Sequence, residues 1–345
     1  MIDSDKDYKL AVLALARMTF LTLQEKFILL KKLDSLYNLV VLSIEDISKI
    51  IGRKSKAFWN GQSALQDAKH DLNIITKFNI STVLYTDEDY PVLLKEISAP
   101  PFLLFYRGDI QFLKNKSVSV VGTRKIIKES ASECFDFAKS ACLDGVNVIS
   151  GLAFGIDRKA HEGALEAYYE AEGRFSVGKT AAVLPGGIDI IVPRSHTMLA
   201  AKILEAGGCI LSEYPPGFEP KPYCFVQRNR IIAGLSCATV VIQAPPGSGA
   251  MLTAGFAVDY NREVVFHSVA FSENCKKISE LVKVQLLNNA QTGRSAANKL
   301  KNDPELYVQD GAPVVNDYAE YCRFMNEHPG VKIYNETNCA QLNLF

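Results

Sequence analysis

The sequence predicts an α/β protein, a mainly parallel sheet with helices on both faces, preceded by a small all-helical module. Three observations carry this. Residues 1–78 repeat apolar residues at intervals of three and four, the period of helices lying on a core. From residue 81 onward, short β-rich apolar runs alternate with helical patterns, as parallel strands joined by crossover helices do. Five consecutive strand ends carry glycine or Gly/Ser-rich turns.

In chain order, the first helices fall at 10–18, 23–39 and 44–51, with one or two more at 57–80. Ser43 with Asp46 marks a helix start, and Gly52 a stop. Residues 81–87 and 102–106 read as strands, with prolines 91, 100 and 101 marking the turns between them. Strand and helix then alternate: 118–122 with 125–144, 146–150 with 156–170, 181–185 with 195–206, 209–213 with 228–236, and 238–243 with 250–261. A strand at 263–267 closes the series. Residues 268–300 are a polar excursion with a helix at 276–288, ordered pattern returns at 306–325, and the end reads as a tail. The expected division is 1–78, 79–325 and 326–345.

Composition narrows the function. Basic and acidic residues balance at 38 each, so any nucleic-acid surface is a local patch. No basic segment and long apolar run follow Met1, and apolar stretches such as 38–44 are far below the roughly 20 residues that span a bilayer. No membrane association is expected. The eight cysteines form no C-x-x-C, and Cys134, Cys142, Cys209 and Cys237 sit in apolar patterns, as buried thiols of a reducing, cytoplasmic protein do. Histidines 70, 161, 196, 267 and 328 have no metal-ligand spacing.

Right-handed crossovers place every parallel strand's C-terminal end on one edge of the sheet, where ligands of such sheets bind. The turns there are "GTR" (122–124), "SGLAFGID" (150–157), "PGGID" (185–189), "SEYPPG" (212–217) leading to "FVQRNR" (225–230), and "PPGSGAMLTA" (245–254). Gly122, Gly151, Gly155, Gly186, Gly187, Gly247 and Gly249 let backbone N–H groups approach a ligand, and the following helices add free donors. Thr123, Ser150, Ser248 and Thr253 add hydroxyls; Arg124, Arg228 and Arg230 add charge. Singly, each has a plain alternative: a turn at 122–124, close packing at Gly151 and Gly155, a helix cap at Asp157, a packed His161. Together they point to a phosphate-bearing ligand. Arg228-Asn229-Arg230 is expected where a helix starts, its arginines pairing with phosphates or with Glu213 or Asp189, at least one of them structurally. Asn229 suits tying adjacent loops, and Phe225 or Tyr223 offers a stacking face. Neither G-x-G-x-x-G nor G-x-x-x-x-G-K-[ST] occurs, so no dinucleotide cofactor and no nucleotide hydrolysis is expected; no cofactor and no metal is expected at all.

The motifs "VVGTR", "ISGLAFGIDRKAHEGAL", "AAVLPGGIDIIVP", "LSEYPPG", "FVQRNRIIAGLS" and "GSGAMLTAGFAVDYNREV", in this order, resemble the DprA/Smf (DNA-processing protein A) family over roughly 80–268, with a weaker echo in "LYVQDGAPVV". The resemblance implies a Rossmann-like domain behind a SAM-like helical module. It implies a cytoplasmic, non-enzymatic single-stranded DNA-binding protein of natural transformation and recombination, which protects incoming strands, helps load the RecA recombinase and forms a homodimer. It places Arg124 at the DNA pocket with Gly151 and Gly155, Phe225 against a base and Lys221 on a phosphate. The chain departs from the family at Val192 and His196, where Tyr and Asn are usual, at Val226, where Pro is common, and in the segments 168–179 and 268–300. No winged-helix module is expected at the C-terminus. "LPGGID" is also similar to LOG-type nucleoside-monophosphate phosphoribohydrolases, but Ile188 and Asp189 follow the glycines where those enzymes need G-T and a catalytic Glu. A small-nucleotide-binding module on the same fold is the third reading.

Overall fold

Reciprocal caps set the helical module. Thr22 with Glu25 and Ser43 with Asp46 each close a capping box, starting α2 (Leu23–Lys32) and α4 (Ile44–Ile51). Gly52 ends α4 in the left-handed conformation at φ 75°. The other helices are α1 (Asp5–Arg17), α3 (Leu36–Val41) and α5 (Gly61–Lys77). The expected helix at 23–39 is two. Leu33 turns extended, and the Ser35 hydroxyl accepts the Asn38 N–H at 3.3 Å to start α3. Apolar periodicity runs through the break and hides it. The 57–80 segment is one helix, capped by Asn60.

This computed structural model describes residues 5–33, 35–171, 177–290 and 294–327. His328, residues 328–345 of the expected tail, 172–176 of the 168–179 segment and 291–293 of the excursion lie outside the described residues.

The strands are β1 (Ser81–Leu84), β2 (Leu103–Gly108), β3 (Ser117–Gly122), β4 (Asn147–Ser150), β5 (Thr180–Val183), β6 (Cys209–Ser212), β7 (Ala238–Gln243), β8 (Glu263–His267) and β9 (Val314–Val315). A short α6 (Val92–Lys95) separates the first two. The helices of the α/β part are α7 (Lys128–Leu143), α8 (Ile156–Glu170), α9 (Thr197–Glu205), α10 (Pro222–Gly234) and α11 (Gly249–Asp259). Beyond β8 come α12 (Glu273–Ala290), α13 (Arg294–Leu300), α14 (Pro304–Gln309) and α15 (Tyr318–Glu327). The nine strands form one sheet in the order β1-β2-β6-β5-β4-β3-β7-β8-β9. β1–β2 and β2–β6 are antiparallel and every other pair is parallel, the mainly parallel α/β sheet that the sequence predicts.

Successive strand residues point to opposite faces, and both faces are covered. Val120 packs with Phe137 and Ala164 of α7 and α8, whereas Val121 packs with Ile232 and Met251 of α10 and α11. The helical module shares a core with the sheet, in which Leu15 and Leu29 join Phe105, Leu184 and Ile210. Arg17 holds buried Asp71 through two hydrogen bonds of 2.7 and 2.6 Å and reaches the Pro216 carbonyl at 3.4 Å. All seven described cysteines are free. No helix among the described residues is long and apolar enough to cross a membrane, and none of their His, Cys, Asp and Glu clusters suits a metal ion.

His161 ties α8 to the sheet. Its Nδ1 meets Thr180 Oγ1 at 2.7 Å, and the Thr180 hydroxyl donates to the Val148 carbonyl at 2.8 Å. The hydroxyl proton is thus committed, so Nδ1–H is the donor and buried Nε2 is left without a partner among the described residues. Burial above all, then His196 and Arg228, lowers the His161 pKa from 6.5 to about 3. Below pH 6.5 protons therefore bind the unfolded chain in preference. This contribution to stability is complete above pH 6.5 and is lost as pH falls toward 3. Denaturant midpoints should fall across that window with a slope of up to about 1.4 kcal/mol per pH unit, and His161→Gln should flatten it. An unchanged slope in the variant would contradict this assignment.

Candidate functional site

The sheet order reverses at β3. β4, β5 and β6 build outward on one side and β7, β8 and β9 on the other, so the loops after β3 and β7 diverge and leave a crevice. A cavity of about 360 Å³ opens there. Gly122, Thr123 and Arg124 line it from β3, Phe225, Arg228 and Asn229 from α10, and Ser248, Gly249 and Thr253 from α11.

The turn after β3 is clamped from two sides. Thr123 N–H donates to the Gln243 carbonyl at 2.7 Å, and Ile127 N–H to the Gln243 side-chain oxygen at 3.2 Å. Ile156 N–H donates to the Thr123 carbonyl at 3.2 Å. Gly155 has φ 79°, and a Cβ there would lie 2.2 Å from the Thr123 oxygen, so this contact requires glycine. The clamp leaves Arg124 exposed, with its guanidinium carbon 5.3 Å from the centroid of the Phe225 ring. No carboxylate among the described residues pairs with Arg124. Its charge is open to a ligand beside a half-buried ring, and the cation–π contact holds the two together.

On the opposite wall, α11 begins. Ser248 is its N-cap yet makes no side-chain cap bond, and its buried hydroxyl has no partner among the described residues. Gly249 is exposed, with open space where a Cβ would stand. The first turn of α11, whose N–H groups have no partner within the helix, thus forms this wall of the cavity, as suits an anion. Asn229 Nδ2 donates to the Gly249 carbonyl at 3.1 Å, the loop-tying role that its amide suits. Thr253 Oγ1 donates to the same carbonyl at 3.3 Å.

Arg228-Asn229-Arg230 does not start a helix. α10 begins at Pro222, so the triplet lies in its second and third turns. Pro222 at the first helical position is the signal that the expectation from the apolar run at 231 passed over. Both arginines are internally paired. Arg228 is buried, and its Nη1 donates to the Gly151 carbonyl at 2.6 Å and also to the Val183 carbonyl. Burial lowers its pKa to about 10, against the attraction of Asp157. A Cβ on Gly151 would lie 2.3 Å from that Nη1, so the glycine makes room for Arg228, not for a ligand. Arg230 grips Glu213 with two bonds of 2.8 and 2.6 Å. Asp189, the other expected partner, instead accepts the Gly217 N–H at 2.8 Å.

The remaining expected residues stand off the cavity. The Ser150 hydroxyl is buried and donates to the Val120 carbonyl at 2.7 Å. Gly186 packs on Pro220 and Phe218, and Gly187 N–H donates to the Phe218 carbonyl at 2.8 Å. Gly247 has φ 67° and donates to Asn302 O at 2.9 Å. Lys221 is exposed at the N-cap of α10, and Tyr223 lies on the face of α10 turned from the cavity. Among the departures, His196 is buried and bonds the Leu152 carbonyl at 2.8 Å, steadying the loop after β4. Sequence reading missed Lys125 and Gln243 and gave Asp157 only a cap. Lys125 is exposed in the cavity wall, and its signal was adjacency to Arg124. Asp157 also lines the cavity and accepts the Ala153 N–H at 3.3 Å, with its pKa raised by burial. Nothing local in the sequence marks Gln243 as the clamp.

Replacing Arg228 strands two buried carbonyls. Arg228→Met should lower stability by about 2–4 kcal/mol in denaturant titrations, and Arg124→Ala by about 0.5 kcal/mol or less. Equal effects would contradict the division between a buried staple and a free cation.

The family model for DNA recombination-mediator protein A matches residues 81–298. The Smf protein of Borreliella burgdorferi is 31% identical over 260 residues, 75% of this chain and 79% of that protein. The Smf protein of Synechocystis is 41% identical over 182 residues, 52% of this chain, and DNA processing protein DprA of Bacillus subtilis 36% over 186 residues, 54% of this chain. The matched stretches span 43% and 59% of those two relatives. The X-ray structure of DprA from Streptococcus pneumoniae is similar with a TM-score of 0.65 at 26% identity, over 94% of this chain and 98% of that one. With strands β1 to β8, the β3 turn and α10 all inside the matched region, the chain belongs to the DNA recombination-mediator protein A family, the DprA/Smf proteins.

Proposed function

We propose that this chain is a non-enzymatic binder of single-stranded DNA in DNA processing and natural transformation. The observation that carries the reading is the pairing of a guanidinium with no ion-pair partner among the described residues, Arg124, with the Phe225 ring beside the start of α11. A single strand presents unstacked bases and a row of phosphates, and these are what a ring and a cation of this kind take up. Lys125 adds a second cation, and the first turn of α11 adds neutral donors. Lys221, exposed at the N-cap of α10, is positioned for a phosphate further along the strand. The wall's carboxylate, Asp157, is engaged with backbone N–H groups and serves the loop, not a reaction.

The proposal extends to partners. Membership of a family described as recombination mediators supports RecA recombinase as the protein that receives the strand. A homodimer would place two such cavities on one strand and multiply the phosphate contacts.

Arg124→Ala should weaken binding to an oligo-dT strand about tenfold or more in fluorescence anisotropy and reduce the salt slope by about one. Phe225→Ala should cost about 1–3 kcal/mol of binding free energy. Titrations of both variants that match the unaltered protein would overturn the proposal.

A further inference from the structure

A second, larger hollow lies on the other side of α10. Its volume is about 860 Å³, and it runs between the helical module and the sheet. Tyr223, Gln227 and Arg230, spaced i, i+4 and i+7, face this groove, whereas Phe225, Asn229 and Ile232, with the same spacing, face the smaller cavity. One helix is thus the wall between both, and the two sites lie about 10–12 Å apart, a helix diameter.

The groove holds a cation with no ion-pair partner among the described residues. Of Arg17, Lys26 and Arg230, which line it, Arg17 is neutralised by Asp71 and Arg230 by Glu213. Lys26 has no carboxylate within ion-pair distance among the described residues. It is 8% exposed; among the described residues its Nζ donates to the Ala16 carbonyl at 3.3 Å and lies 5.3 Å from the centroid of the Phe102 ring, which leaves the ammonium donors to spare. Burial lowers its pKa to about 8, against the attraction of Glu213. A buried ammonium left in that state is costly, and an anion in the groove would relieve it. The groove also carries rings. Tyr214 and Phe218 stack at 4.7 Å between centroids, and Tyr223 is 53% exposed.

A cation beside aromatic faces suits a nucleotide, whose phosphate and base engage both. We propose that the groove between the helical module and the sheet is a second nucleotide site for the same single strand, with Lys26 on a phosphate and Tyr223 with the Tyr214–Phe218 pair against a base. The strand crosses the N-terminal turn of α10, where Lys221 stands exposed, from one site to the other. This rests on the single-strand reading of the first cavity and gives the helical module a part in binding.

The test uses the full chain with Lys26→Gln and Tyr223→Ala, each titrated with oligo-dT of about 5 and about 16 nucleotides. Tyr223 is exposed, so its variant keeps the fold whatever the cost of Lys26→Gln. Both variants should weaken the long strand about five- to tenfold and leave the short one unchanged, while Arg124→Ala weakens both. If neither variant affects the long strand, the groove has a different occupant, such as an acidic peptide, and the proposal is overturned. Equal losses on both lengths would also overturn it, because the effect would then not belong to a separate site. If the unaltered protein binds neither length, the reading of the first cavity fails and the groove falls with it.

Discussion

The site depends on a buried guanidinium. Arg228 lies beneath the crevice and ties the carbonyls of Gly151 and Val183, at the ends of β4 and β5, to α10. Both bonds come from Nη1, while buried Nε has no partner among the described residues, so breaking the two that are made would leave the charge and both carbonyls stranded. The link also explains Gly151, whose missing side chain is the space that the guanidinium occupies. The neighbours of Arg228 extend the same logic. Asn229 holds the first residue of α11, and Arg230 holds Glu213 just after β6. Three consecutive side chains of one helix thus bind four strand-end loops together.

That division of labour leaves the surface chemistry to others. Arg124 and Lys125 project from a turn that Gln243 and Gly155 clamp, and among the described residues no carboxylate lies within ion-pair distance of Arg124. A binding group already held in place loses little freedom when a ligand arrives. The same economy applies to Phe225, which the cation–π contact with Arg124 holds beside the turn.

Much of this was legible in the sequence. β-rich apolar runs located the strands from β1 to β8 to within a few residues; for β3 to β8 this is because a parallel strand buried on both faces has little else to be made of. "GTR", Phe225 and the Ser248–Gly249 turn were read as site residues, and the fold brings them together. The arginines of α10 show where reading stops. A free and a paired arginine look alike in sequence, and the partners of Arg228 are 77 and 45 residues away. Gly151, Gly186 and Gly187 looked like ligand contacts, because a glycine that admits a ligand and one that admits the protein's own atoms leave the same letter. The larger groove was invisible for the same reason: it joins Arg17 to Pro216, 199 residues apart.

The most direct test of the account is to map where a strand lies. Oligo-dT carrying iodo-deoxyuridine, irradiated on the full chain and read by mass spectrometry, should give adducts at Phe225 and on the turn from Gly122 to Lys125. Adducts confined to other faces of the protein, with none on that turn or on α10, would contradict it.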